Sequence, residues 1–373
     1  MHINWYSIKQ RPHFLAEHLS EQFDMHIFHY SSIIERYRVK NRNKGLKDKN
    51  RLNLKRVIRI PYSTRQKALY KIESVVNRVL FSKTFKAQDY DIIWISNPRF
   101  LEFIDIETIK LDGKLVVYDC MDDILEFSNI RNNGYMRRRH EYLEQRLLLW
   151  ADIVFASSEE LKRRLINRQK LAEAKIQIIN NALDSSMFDF DENDSGISRR
   201  SEKKYIVLLY FGSIADWFDM ETLLEVINSC ESVRIILLGP AAIDIPRHER
   251  IIYKRPVSHG ELCNYAKNAD CLIMPFKLNR LVTAVDPVKI YEYIGFHKII
   301  ISIRYDELKK FDRYIYFYDN FGELINLINR IGSGDIKPKY GAEEAKTFIE
   351  QNNWSSRVKK ILEIINENLR TNR

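Results

Sequence analysis

The chain has 373 residues, of which 45% are hydrophobic and 12% aromatic, enough apolar material for a substantial core and a length that favours two domains over one. Its net charge is +10 and no run approaches the ~18 apolar residues that cross a bilayer, which excludes a membrane-spanning class. The start, MHINWYSIKQRPHF, lacks the apolar centre of a signal peptide, so a cytoplasmic protein is expected, one that could still meet a membrane from outside. Cys120, Cys230, Cys263 and Cys271 are scattered, with no CxxC pair and no His at finger spacing, so neither a zinc site nor a disulfide framework is expected.

Short apolar runs alternate with helical patterns along the chain. The first series of expected strands is Met25–Tyr30, Val57–Ile60, Asp91–Ser96, Lys114–Asp119, Asp152–Ser157 and Ile176–Asn180. The second is Tyr205–Gly212, Val233–Gly239, Arg250–Lys254, Cys271–Pro275 and Lys298–Ser302. Most are continuous apolar runs bounded by Pro, Gly, Asn or Asp, as strands buried on both faces should be. Helical spacing falls between them, at Pro12–Glu21, Glu141–Trp150, Glu159–Ile166, Met220–Ser229, Ser258–Lys267 and Pro287–Tyr293. This alternation predicts an α/β protein with doubly wound parallel sheets.

Between Asp184 and Lys204 the chain is polar, acidic then basic, and without periodicity, which reads as a linker. Two α/β domains are therefore expected, 1–190 and 200–340, with a cleft between them. A closing segment, 341–373, carries Ala345, Phe348, Trp354, Val358, Ile361 and Ile364 near helical spacing, and packing back on the first domain would bury that stripe. No repeat or low-complexity tract appears.

Charge is uneven. From Arg36 to Lys86 there are seventeen Lys and Arg against only Asp48 and Glu73. Arg42–Lys49 reads as a solvated loop. Arg65 to Lys83 has Leu69, Ile72, Val75, Val76, Val79 and Leu80 at helical spacing with basic residues between them. Two readings stay open: a basic amphipathic helix on anionic lipid, or a core-packing helix with a solvated basic face. Nucleic acid is not expected as a partner, because no aromatic residues interleave with the basic ones in a stacking pattern.

The segment Asp286-Pro287-Val288-Lys289-Ile290-Tyr291-Glu292-Tyr293-Ile294-Gly295 carries the most chemistry. Pro287 suits a first helical turn and Asp286 a cap, so the helix start is primed for an anion by its free N–H groups and its dipole. Lys289 adds a full positive charge, and Glu292 lies three residues on, along the same face, where a carboxylate can accept from ribose hydroxyls. An ordinary surface Lys–Glu pair would look the same in isolation.

This segment resembles the donor-binding helix of GT-B glycosyltransferases, in which the matching Glu binds ribose. The order of the flanking pieces is similar to that group as well: Tyr205–Phe211 ending in Gly212-Ser213, Val233–Pro240 with its Gly turn, Tyr253–Val257, Asn268–Pro275, and Asn352-Asn353-Trp354 at a closing helix. Ala151–Ser158 and Ile179–Asp184 match landmarks of the first half. The likeness is to bacterial capsule, exopolysaccharide and teichuronic-acid glycosyltransferases. It implies two Rossmann-like domains and a UDP- or GDP-sugar donor held by Gly212, Ser213, Arg255, Asp286, Lys289, Tyr291 and Glu292. The acceptor it implies is a glycan or polyprenyl-linked glycan. The resemblance also implies charge stabilisation by helix dipoles and basic side chains, and no Asp-x-Asp stands beside the proposed donor site, so no metal and no cofactor are expected.

The pattern is broken in two places. Ala284 stands where many retaining members carry a second Glu, and Ala215–Asp219 replaces their usual Arg and Lys. Tyr118-Asp119-Cys120-Met121-Asp122-Asp123 follows an apolar strand, at the end where α/β sheets place ligands. An inverting transfer needs a base for the acceptor hydroxyl; Asp122 is the first choice and Asp119 the second, with Asp123 as a helix cap, and turn acids account for all three equally well. In the first strand-to-helix turn, Arg11 could reach a phosphate and Trp5 stack on a sugar, while capping and packing explain them nearly as well. A GT-B nucleotide-sugar epimerase, or a non-catalytic glycan- or membrane-binding protein with this fold, are the alternatives.

Overall fold

The computed structural model describes residues 5–6, 9–32, 52–169, 175–188 and 205–371. The basic loop at 42–49, most of the 184–204 linker, and Asn4 and Ser7 lie outside the described residues. The chain folds as two units, one of Met1–Asn181 with Arg357–Arg373 and the other of Ala182–Ser356. Both are α/β and, among the described residues, every strand pairing in them is parallel.

The first unit carries β1 (Met25–Ser32), β2 (Leu52–Arg59), β3 (Ile92–Ile95), β4 (Leu115–Cys120), β5 (Ile153–Ala156) and β6 (Ile176–Ile178). β1 and β2 form one sheet, and β3-β4-β5-β6 form a second. β4 is buried at all six positions, which is why its sequence is apolar throughout. β2 starts earlier than the apolar run at Val57, its first five residues being partly buried or exposed and therefore mixed in polarity. The helices are α1 (Arg11–Leu19), α2 (Lys67–Thr84), α3 (Ile106–Leu111), α4 (Ser128–Arg131), α5 (Gly134–Trp150) and α6 (Glu159–Gln169). Asn133 caps α5 by accepting from the Met136 N–H.

Helix α2 forms where helical spacing predicts it, but its apolar stripe does not face the core. The buried residues are Tyr70, Glu73, Ser74, Asn77 and Phe81. Asn77 bonds both backbone groups of Ile58, and Glu73 accepts from the Ile60 N–H at 2.6 Å. Satisfying the end of β2 takes polar side chains, and this turns Ile72, Val75, Val79 and Leu80 outward.

The second unit holds β7 (Ile206–Phe211), β8 (Val233–Leu238), β9 (Ile251–Lys254), β10 (Cys271–Met274), β11 (Ile299–Ile303) and β12 (Tyr316–Tyr318). Their spatial order is β12-β11-β10-β7-β8-β9. Counted within the unit this is 6-5-4-1-2-3, the doubly wound dinucleotide-binding order, with its switch point between β7 and β10. The helices are α7 (Met220–Ser229), α8 (His259–Asn268), α9 (Val288–Gly295), α10 (Phe321–Ser333) and α11 (Ala342–Gln351). β12 has no counterpart among the expected strands, since a three-residue strand is too short to show a period, and α10 is not among the expected helices.

The closing segment divides. α11 stays with the second unit, its Phe348 ring 5.9 Å from Tyr291 and 6.3 Å from Phe311. The last helix, α12 (Trp354–Thr371), enters the first unit at Arg357, where Arg357 donates to Asn181 O at 3.2 Å and Lys360 to Ile178 O at 3.0 Å. Among the described residues no helix is long and apolar enough to cross a membrane.

Candidate functional site

Ligands of open parallel sheets sit beyond the carboxyl ends of the strands at a switch point. In the second unit that place is defined by Gly212. Its φ is +151°, and a Cβ there would stand 3.1 Å from Lys289 Cε and 2.9 Å from the Tyr210 hydroxyl. Gly239, at φ +135°, turns against it so closely that any Cβ would collide with the Gly212 carbonyl. The pinch is held by Gly212 N–H donating to Leu238 O at 2.9 Å and Gly239 N–H to Lys254 O at 3.0 Å. Tyr210 donates to Ser213 O at 2.8 Å and so fixes the turn that follows β7. The Tyr293 hydroxyl bridges the switch point, accepting from Phe211 N–H at 3.4 Å and donating to Ile273 O at 3.3 Å.

α9 aims its amino end at this turn. Its N-cap is Pro287, with no side-chain cap hydrogen bond and no acid in the first turn, so its first N–H groups carry the positive end of the helix dipole. Lys289 Nζ lies 2.7 Å from Glu292 Oε2 and 5.4 Å from the Phe211 ring centroid. A cation, a carboxylate and a helix N-terminus thus meet beside a glycine turn, which suits a phosphate with a ribose next to it. Arg255 is exposed just after β9 and lines, with Pro240, Ala241 and Tyr253, a hollow of about 480 Å³.

Two expected donor residues are corrected. Asp286 is buried; it accepts from the Tyr291 hydroxyl at 3.1 Å and pairs with Lys310 at 2.7 Å. Because the helix starts at Val288, Asp286 lies one residue too early to cap it. Tyr291, buried against Phe311 with ring centroids 5.0 Å apart, spends its hydroxyl on Asp286. Both tie α9 into the core.

The first unit also separates expected partners. Arg11 is buried, and its guanidinium grips Asp119 at 2.8 Å while donating to Ile179 O at 2.6 Å and Asn181 at 3.3 Å. This corrects both assignments: Arg11 cannot offer its charge to a phosphate, nor Asp119 its carboxylate to a hydroxyl, while each neutralises the other in the core. Asp123 is likewise buried between Arg164 and Arg168, at 3.0 and 2.6 Å, rather than capping a helix. Trp5 packs on His13 with ring centroids 5.1 Å apart and keeps a partly exposed ring.

Asp122 is different. Its carboxylate makes no hydrogen bond or ion pair among the described residues, and burial, aided by Asp123 and Asp119 and opposed by Arg11, raises its pKa to about 6. It lines a cavity of about 190 Å³ with Tyr30, Arg59, Ser96, Arg99 and His140. The Tyr30 hydroxyl, Ser96 Oγ and Arg99 Nε are buried there without a protein partner, an unusual concentration of unmet hydrogen-bonding capacity. Arg99 is anchored by Glu73 at 2.6 Å and lies 4.3 Å over the Tyr70 ring. Burial holds His140 neutral, its pKa down to about 4. Sequence reading missed Tyr30, Ser96, Arg99 and His140; the one available signal was Asn97-Pro98-Arg99 directly beyond an apolar strand. Among the described residues no group of three or more His, Cys, Asp or Glu is placed to hold a metal ion.

Residues 13–186 match the family described as Glycosyltransferase Family 4. The putative teichuronic acid biosynthesis glycosyltransferase TuaH of Bacillus subtilis (strain 168) is 23% identical over 215 residues, 54% of this chain and 54% of that protein, so the chain spans about half the length of this curated relative. Among solved structures, Anabaena Alr3699/HepE in complex with UDP and glucose aligns with a TM-score of 0.66 at 15% identity, covering 95% of this chain and 94% of that one. Sucrose-phosphate synthase of Thermosynechococcus elongatus gives 0.67 at 13% identity, over 96% and 93%. At such identities the likeness is one of fold. With its parallel sheets in two Rossmann-like units this chain has the GT-B glycosyltransferase fold, and over residues 13–186 it carries the sequence pattern of Glycosyltransferase Family 4.

Proposed function

We propose that the chain is a metal-independent glycosyltransferase that moves a sugar from UDP to a glycan, carried on a polyprenyl lipid, in surface-polysaccharide synthesis at the cytoplasmic face of a membrane. The observation that carries this reading is Lys289 in the first turn of α9, against the Gly212 turn and beside Glu292. UDP is favoured over GDP because Alr3699/HepE is a UDP and UDP-glucose complex, and the polysaccharide role follows the name of the Bacillus relative.

In the proposed reaction an acceptor hydroxyl oxygen bonds to the anomeric carbon while the bond from that carbon to the diphosphate oxygen breaks. The electron pair leaves with UDP, whose growing charge is met by Lys289 and the α9 dipole. The hydroxyl proton goes to a general base, for which the first unit's candidate is Asp122, mostly ionised above its raised pKa of about 6. The unpartnered groups around Asp122 suit a polyol, which offers donors and acceptors together.

The test is a thermal-shift panel of UDP, GDP, uridine and UDP-sugars, with and without chelator, followed by product analysis by NMR. A shift with UDP that chelator leaves unchanged, and a glycosylated acceptor, are expected. A response to no nucleotide overturns the reading, and interconverted UDP-sugars without acceptor would identify an epimerase.

A further inference from the structure

The outward face of α2 is apolar where an ordinary surface helix is polar. Ile72, Val75 and Val79 are 52%, 61% and 53% exposed and follow one another at i, i+3 and i+7, so they share one stripe. At 100° per residue that stripe lies opposite the buried row of Tyr70, Glu73, Asn77 and Phe81. Leu80, 43% exposed, widens it. Nothing else among the described residues covers the stripe, and the fold does not need it, because the helix is anchored through its polar side.

Charge says what would cover it. Exposed Lys67, Lys71 and Lys83 flank the stripe, and Arg65 and Lys86 lie just beyond the two ends of the helix. Between Arg65 and Lys86 the only acid is Glu73, which is turned inward to Arg99. Apolar side chains rimmed by long cationic ones are the pattern of a helix lying in a bilayer interface, with lysine stems running along the acyl boundary and ammonium groups among the headgroups. A second copy of the chain meeting this face with the same face would set lysines against lysines.

We infer that the outward face of α2 docks on an anionic lipid bilayer. The inference names the element behind the membrane placement proposed above and rests on that reading. It also gives the placement a geometric purpose: Glu73 on the inner side of α2 holds Arg99, which lines the Asp122 cavity. That cavity therefore lies about one helix diameter, ~10 Å, from the lipid surface, within reach of a lipid-borne acceptor.

Flotation of the full chain with phosphatidylcholine vesicles, with or without phosphatidylglycerol, tests it. Binding is expected only with phosphatidylglycerol. Lys67→Gln, Lys71→Gln and Lys83→Gln together should weaken it about fivefold per charge removed. The triple variant Ile72→Ser, Val75→Ser, Val79→Ser should retain only the part that high salt abolishes. Wild-type binding that ignores phosphatidylglycerol, or an apolar variant that floats like wild type at high salt, overturns the inference. So does light scattering that shows a dimer reduced to monomer by the apolar variant, without vesicle binding. The UDP thermal shift, read on every variant, checks folding, and read on the wild type it keeps the two readings apart: a wild type that shifts with UDP but binds no vesicles removes only the docking face, and one that binds vesicles without a UDP shift removes only the donor site.

Discussion

Lys289 and Glu292 hold one another at 2.7 Å, so in the proposed complex a diphosphate beside Gly212 would draw the ammonium away and leave the carboxylate to the ribose. Lys289→Ala should therefore weaken UDP binding about tenfold or more while leaving uridine nearly unchanged, because a charge-assisted hydrogen bond contributes roughly 1.5–3 kcal/mol and the lost one goes to phosphate. Calorimetric titration with both ligands decides it, and equal losses on the two would remove the assignment. Asp122→Asn should lower kcat by about 10²–10⁴-fold with UDP affinity retained, the usual worth of a positioned base. The wild-type rate should fall as pH drops through about 6, where Asp122 becomes protonated, and the variant should lose that limb. Arg11 and Asp119 belong to stability instead. Arg11→Met leaves Asp119 buried and uncompensated, and a loss of about 3–5 kcal/mol in urea unfolding is expected.

Two elements owe their function to what their neighbours demand. The β7 and β8 turns pass so close that Gly239 admits no side chain, and Gly239→Ala must either part the strands or move the Gly212 carbonyl. A lowered melting temperature and a weakened UDP shift should appear together, since the same displacement opens the Gly212 turn proposed to hold the diphosphate. A normal UDP shift in a destabilised variant would separate the turn from the ligand. α2 has the opposite history. Its side chains are helical in pattern, but the end of β2 claims its polar face, and the apolar face is left exposed.

For the molecule as a whole, His29 and His140 link folding to pH. Burial lowers both to about 4, below the ordinary value of 6.5. Between those values the unfolded chain binds more protons than the folded one, so stability should fall as pH drops from about 6.5 toward 4. Asp122 works the other way: its raised pKa makes the folded state the better proton binder between about 4 and 6, which offsets part of the loss. Urea midpoints at neutral and acidic pH should show a net decline, smaller in His140→Gln; an equal decline in that variant would move the linkage elsewhere.

The sequence by itself determined the α/β class, most of the strands and the placement of Lys289 and Glu292 on one helix face. These are local matters, set by apolar runs that only two-sided burial explains and by a three-residue spacing along one helix. Tertiary structure decided which charges remain available. Asp119, Asp122 and Asp123 are near neighbours in the chain, yet two meet guanidiniums from distant segments and one does not. The unpartnered groups around Asp122 come from two other segments, at Tyr30 and at Ser96 to Arg99, so no window of sequence contains the cluster. The direction in which α2 turns its apolar stripe was likewise open, because periodicity reports that a helix has two faces and only the packing partners decide which one is buried.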